Sequence, residues 1–507
     1  MNLGELYYLI IFFFAIRTLK VLIYESYVWQ LKEFRLDRFI SFLKTRNGVR
    51  LIFHPLNIIK WLSIISPLLV VRSERGLYLW IFLTVIAFSL FWYFESIFWF
   101  LELARGKARF PKFTPRALLI FISTSILMLI FYLYNNSEVF TLIALDRLLP
   151  IFIFISVILS AIPKRIIEFN LYSQAKRKIE NFEKIVVIGI TGSIGKTSTK
   201  EFLAKLLEAK YKVQKTPESI NTQIGIARFI IDQLKSDTEI FIVEMGAYKK
   251  GEIKAICNMV RPHIGIITYI GTQHLELFGS VQNLKDAKYE LIENLPGEGL
   301  ALFNGENEEC RELAKKAEES GKKILLYGLN KEDVRVYKDK VEFTTRIKNK
   351  GYKFTTNLLG EQVITNILGA IAVAYTLGLT PLKIKAQVSK ISSPRHTMDM
   401  VGRYKGAQLI DDTFNASRES VLSALDYMKI YKGKKILILS PLIELGSQEN
   451  NIYTEIINKA QSICDLIIKT NTLSPSLLKQ KIDQLVSQDS VIVFEGKESA
   501  KYLKQLL

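Results

Sequence analysis

The chain has 507 residues, 49% of them hydrophobic, with 68 Lys and Arg against 49 Asp and Glu and a formal net charge of +19. That length exceeds one core and leaves room for two or three domains, while three widely spaced cysteines (Cys257, Cys310 and Cys464) exclude a disulfide scaffold and a cysteine-based zinc site and fit a reducing cytoplasm. No RNA- or DNA-binding motif accompanies the basic excess, much of which borders apolar spans, so the expected partner is a lipid bilayer and not nucleic acid.

Residues 1–163 read as a helical membrane domain. Five stretches approach the ~20 apolar residues that a crossing helix needs: about 3–24, 54–71, 77–101, 117–135 and 139–162. The second is short and carries Lys60, so it reads equally as interfacial. The N-terminal run lacks a basic leader and a small-residue cleavage site, which marks it as a retained anchor. Basic residues crowd segments 25–53 and 103–116, the latter with Arg105, Lys107, Arg109, Lys112 and Arg116 and no acid. Basic segments stay in the cytoplasm. Five crossings then put the N-terminus outside and everything after residue 163 inside, in a multi-pass cytoplasmic-membrane protein; Arg72 and Arg75 are the exception. Glu95, Asp146 and Arg147 lie in or near spans. They read either as a polar pathway or, preferably, as an Asp–Arg neighbour pair close to a helix end.

A basic juxtamembrane linker, 164–184, leads into a domain expected over 185–400, where apolar strand-like runs alternate with helical patterns. This is the βαβ rhythm of a mostly parallel sheet with helices on both faces. A second, Rossmann-like unit is expected over 401–507, and 360–378 reads as a long Ala-rich helix between them. The run "KIVVIG" passes into "ITGSIGKTSTKEF" at 190–202. After a strand and before a helix, such a loop holds nucleotide phosphates: Gly192 and Gly195 let backbone N–H groups close on oxygens. Lys196 brings charge to the β and γ phosphates, and Thr197 offers a hydroxyl to Mg2+. Ser193 and Ser198 complete the expected ATP contacts. Strict Walker spacing would want glycine at 190, where Ile190 stands.

The variant TGxxGKTST resembles the loop of the Mur ligases, the ATP-dependent amide-forming enzymes of peptidoglycan synthesis. Further stretches resemble that family in the same order: "NTQIG" (221–225), "VEMGAYKKGEI" (243–253), "RPHIGIITYIGTQHLELFGSVQNLKDAKYELI" (261–292), "GRYKGAQLIDDTFNASRESVLSAL" (402–425) and "SPLIELG" (440–446). They are most similar to the branch that adds D-alanyl-D-alanine, over about 185 to 465. The resemblance implies that a muramoyl-peptide carboxylate, UDP- or lipid-linked, is activated by the γ-phosphate of ATP and then attacked by a dipeptide amine, in cell-wall biogenesis and the maintenance of cell shape. It implies Thr197 and Glu244 on one magnesium, and His274 with a carbamylated Lys288 on a second. It also places Asn366 and Arg403 on ATP, Asp412 near the ribose, and Asn221, Thr222 and Asn415 toward substrate.

Taken singly, Glu244 would be a solvated strand-end acid and Lys288 a surface lysine, while His54 and His263 read as structural and His396 as local to the hinge. Departures fall on Gln362 (histidine in the family), Phe414 (tyrosine), Pro441 (aspartate) and Tyr453 (histidine), which leaves the amine open. The apolar third stands where the family's UDP-sugar domain would be. Two other readings remain: the same chemistry on another cell-envelope acid or amino acid, or polyglutamate; and a membrane transporter or sensor with a nucleotide-binding domain, in which Lys288, His274 and Asp412 would have no use.

Overall fold

The computed structural model describes residues 3–43, 45–65, 73–135, 138–218, 220–271, 278–442, 449–470, 472 and 474–507. The chain divides into two compact units, Met1–Glu168 and Phe169–Leu507.

Among the described residues, four helices are long and apolar enough to cross a membrane: Gly4–Leu31, Glu74–Ala104 and Pro115–Tyr134 in the first unit, and Phe140–Glu180, which begins there and runs past its end. The second expected stretch, 54–71, is helical over Pro55–Ile65, and 66–71 lie outside the described residues. Leucine, isoleucine and phenylalanine cover the outer faces of these helices, whereas small polar groups meet between them, as Thr124 Oγ1 does on Ser156 Oγ at 2.9 Å. Asp146 is not half of an isolated pair at a helix end, as the sequence suggested. Its buried carboxylate faces Arg17 at 2.8 Å, the Trp92 indole N–H at 2.8 Å, Lys60 at 3.7 Å and also Arg147. Lys60 in turn meets Glu95 at 2.8 Å. Sequence neighbours could suggest the Asp–Arg pair but not the convergence of four helices on it.

The second unit is built on the expected alternating strands and helices. Its six-stranded parallel sheet comprises β1 (Val186–Thr191), β2 (Val213–Lys215), β3 (Ile240–Glu244), β4 (Ile264–Ile267), β5 (Leu300–Asn304) and β6 (Lys323–Tyr327), in the order β2-β3-β1-β4-β5-β6. Because strand side chains alternate between faces, Val187 packs into one core layer while Ile188 and Ile190 pack into the other. Both faces are covered, which is why the strands read as continuous apolar runs. The strand order changes direction at β1, and the C-terminal ends of β1, β3 and β4 open the crevice where such sheets bind ligands.

An antiparallel sheet of β7 (Lys331–Val336), β8 (Val341–Ile347) and β9 (Lys350–Thr356) was not anticipated. Its hairpin turns through Lys348 and Asn349, both at positive φ (48° and 62°), as a two-residue turn of this hand requires. The C-terminal part has β10 (Asp399–Tyr404), β11 (Ala407–Asp412), β12 (Lys435–Leu439), β13 (Leu466–Lys469) and β14 (Val491–Glu495) in the order β10-β11-β14-β12-β13, parallel except at the β10 edge.

Candidate active site

β1 ends in a loop whose backbone is held from the neighbouring strand. The Ser193 N–H donates to Tyr269 O at 2.7 Å, and the Thr268 hydroxyl reaches Ile194 O at 2.5 Å. This close approach explains the glycines. A Cβ on Gly192 would stand 2.1 Å from Thr268 Oγ1, and one on Gly195, at φ +82°, would stand 2.6 Å from Asn366 Oδ1. Helix Lys196–Leu207 starts at Gly195 with no side-chain cap, so its first-turn N–H groups face the loop, a ready-made anion site. Lys196 Nζ folds back onto the Gly192 and Ser193 carbonyls at 2.8 and 2.9 Å. Burial pulls its ammonium below the usual range, and the Glu244 carboxylate opposes this.

Glu244 closes β3 beside the loop. Its Oε2 accepts from the Thr197 hydroxyl at 3.0 Å and from Lys200 Nζ at 3.0 Å, and its Oε1 accepts from Asn221 Nδ2 at 3.2 Å. Burial would raise this acid, but Lys200 and then Lys196 outweigh burial and hold it below the usual carboxylate range. The pairing of an ionised carboxylate with a hydroxyl supplies hard oxygen donors, which fit magnesium completed by phosphate oxygens and water. No group of three or more His, Cys, Asp or Glu suited to a metal occurs among the described residues, and this donor set does not need one.

Lys288 is buried on helix Val281–Glu293. Desolvation first, and the charge of Lys196 second, bring its ammonium down to about 7, against the pull of Glu252 and Glu290. A substantial fraction of its amine is therefore uncharged near neutral pH, unlike that of a surface lysine. Glu290, two residues further along the same helix, accepts the Gly251 and Lys254 N–H groups at 2.5 and 2.9 Å and so caps helix Glu252–Val260.

The structure thus brings together Gly192, Ser193, Gly195, Lys196, Thr197, Asn221, Glu244 and Asn366, the last accepting the Thr199 hydroxyl at 3.4 Å. Ser198 lies in the helix's first turn, and His274 lies outside the described residues. Thr222 caps helix Gln223–Gln233, and Asn415 is exposed. Among the described residues, no hydrogen bond or ion pair joins Arg403, exposed on β10, or Asp412 to the loop. Asp412 is buried, with its Oδ1 accepting the Met398 N–H at 3.2 Å, and it pairs in register with Glu495 on β14. Burial pushes it up to about 7.

Tyr453 accepts the Leu442 N–H on its hydroxyl at 2.7 Å and so braces the chain after Pro441. His263 accepts the Val187 N–H at 3.1 Å, and His396 meets Asp411 at 2.7 Å. Sequence reasoning missed Lys200. The available signal was its position four residues after Lys196 and three and four before Leu203 and Ala204, which are buried on the same face; a lysine on that face needs a carboxylate.

Residues 190–374 match the Mur ligase middle domain. Among curated proteins, the UDP-N-acetylmuramoyl-tripeptide–D-alanyl-D-alanine ligase of Bacillus subtilis is 27% identical over 63% of this chain, that of Synechocystis 34% over 52%, and that of Escherichia coli 26% over 53%. The chain spans 68, 56 and 61% of those relatives' lengths. Among solved structures, MurF of Acinetobacter baumannii superposes with a TM-score of 0.62 at 20% identity, over 67% of this chain and 80% of that one. MurF of Thermotoga maritima in complex with ADP gives 0.61 at 23%, over 67% and 83%. The parallel sheet and the phosphate loop agree with the match of residues 190–374 to the Mur ligase middle domain, and the solved structures share this fold.

Proposed function

We propose that this chain is an ATP-dependent, ADP-forming ligase that activates a muramoyl-peptide carboxylate as an acyl phosphate and joins it to D-alanyl-D-alanine. The observation that carries this reading is the uncapped phosphate loop with Thr197 and Glu244 hydrogen-bonded at one edge; the buried Lys288, within electrostatic reach of Lys196, supports it. It occurs in a chain whose curated relatives bear the name of that ligase.

Gly192, Ser193, Gly195 and the helix N-terminus bind the phosphates, Lys196 neutralises the charge that grows as the γ-phosphoryl leaves, and Asn366 orients the nucleotide. Thr197 and Glu244 would hold one magnesium, and His274 with Lys288 a second. Bound there, the metal withdraws charge from the phosphoryl and carboxylate oxygens. Once its ammonium has lost a proton, the Lys288 amine can add to the carbon of CO2 and release a second proton to solvent, which leaves a carbamate, an anionic carboxylate-like ligand, where a cation stood. Asn221 and Thr222, beside Glu244, face the acid, while Arg403, Asp412 and Asn415 meet nucleotide or amine from the C-terminal part. A transporter or nucleotide sensor has no need of a buried lysine within electrostatic reach of a phosphate loop.

The apolar helices are read as membrane spans that leave the catalytic part in the cytoplasm, with the basic segments 25–53, 103–116 and 164–178 on that same side. There they would either tether the enzyme or hold an anionic, lipid-linked acid at the surface. The test is whether purified full-length protein releases ADP and phosphate only when carboxylate and amine substrates are both present. Release with ATP alone, unaltered by either substrate, would remove the ligase reading.

A further inference from the structure

Lys200 has no part in the chemistry above, yet it is fully buried one helical turn beyond Lys196. Its Nζ lies 3.0 Å from Glu244 Oε2, the same oxygen that accepts the Thr197 hydroxyl at 3.0 Å. It also donates to Pro217 O at 3.4 Å. Pro217 begins the segment that carries Asn221, whose amide donates to Glu244 Oε1 at 3.2 Å. One ammonium therefore joins the helix after the phosphate loop, the end of β3 and the segment around Asn221. On its far side it approaches Glu201 at 3.8 Å, and Glu201 pairs with Lys215 on β2.

A carboxylate oxygen presents two lone pairs in its plane. Lys200 and Thr197 both donate to Oε2, at 3.0 Å each, so with Lys200 on one lone pair the other is left for the Thr197 side. Asn221 holds the second oxygen, so the carboxylate cannot swing. Partners of this kind, behind a metal ligand, typically change metal affinity 10–100-fold when removed.

We propose that Lys200 is a positioning residue that sets the Glu244 carboxylate toward Thr197 and holds the Asn221 segment against it, so that the magnesium site and the acid-binding segment form as one unit. This rests on the reading of Thr197 and Glu244 as the magnesium holders. Charge alone gives the opposite expectation, since deleting a cation beside a metal ligand should tighten metal binding.

The test uses full-length protein in detergent, with Mn2+ as the probe and its binding followed by electron paramagnetic resonance in the presence of ADP. Lys200→Met should weaken Mn2+ binding at least tenfold and raise KM for the acid severalfold, while metal-free ADP affinity stays within twofold. Lys200→Arg should recover most of the Mn2+ affinity, and Lys200→Gln, which keeps an N–H donor at that depth, should fall between. Thr197→Ala is the control for a direct ligand. Unchanged or tighter Mn2+ binding in a folded Lys200→Met or Lys200→Gln protein overturns the proposal. So does failure of all three Lys200 variants to fold, which would make the residue a structural staple. If the wild type shows Lys200-dependent Mn2+ affinity but no ligation, the reaction assignment fails and the positioning role stands; ligation with Lys200-independent affinity gives the reverse.

Discussion

Glu244 and Lys288 show how burial and neighbouring charge turn ordinary side chains into chemistry. Glu244 stays ionised only because Lys200 and Lys196 face it. Glu244→Ala would leave the fully buried Lys200 without that partner, and the expected loss is about 3–5 kcal/mol of stability, to be read as a lower melting temperature of the full-length chain. At Lys288 the signs run the other way. An ammonium brought down to about 7 is charged below that pH and free above it. Since the unfolded chain binds more protons between that value and the ordinary lysine range, this group destabilises the fold most below pH ~7, and the penalty fades as pH rises. CO2 uptake needs the free amine, so turnover should fall between pH 8 and pH 6 and recover in part with added bicarbonate. Lys288→Ala should be nearly inactive, with short carboxylates restoring some rate; full activity in Lys288→Arg would reduce the residue to a buried cation. Lys196→Ala should cost ~10²–10³ in rate, measured as ADP release at saturating substrates.

At the scale of elements, the loop between β1 and its helix is the most constrained piece of backbone. Gly195→Ala places a methyl against Asn366 at a φ that L residues avoid. Nucleotide affinity should drop at least tenfold in an ADP titration, and unchanged affinity would mean that the loop does not close on phosphate. This element was legible in the sequence because its glycines, lysine and threonine are contiguous. So was the central sheet, since doubly covered strands leave unbroken apolar runs such as Ile185 to Ile190. The sheet of β7–β9 was missed although β8 alternates Val341, Phe343, Thr345 and Ile347 inward, because neighbouring lysines and glutamates mask a short amphipathic strand. Lys200 escaped for a different reason: its partner is 44 residues away at the end of β3, and the helical pattern around Lys200 marks a buried position without recording which distant carboxylate meets it. The positions of Arg403 and Asp412 came from family resemblance alone, which carries residue identities but not the placement of the C-terminal part.

For the molecule as a whole, the two units pose separate questions. The proposed membrane orientation rests on the basic segments: a cysteine placed in "RGKAR" (105–109) should be protected from an impermeant reagent applied outside, and one in "NNSE" (135–138) should label. Outside accessibility of 103–116 would break the five-span reading. Chemistry is tested most directly by incubating the full-length protein with ATP, magnesium, D-alanyl-D-alanine and a muramoyl tripeptide, supplied in separate reactions as the UDP form and as a lipid-linked form, and reading the products by mass spectrometry. The expected result is a new amide joining dipeptide to tripeptide with one ADP per bond, in at least one of the two reactions. ATP turnover without any amide product from either acid would contradict the assignment of this chain as a ligase of this class.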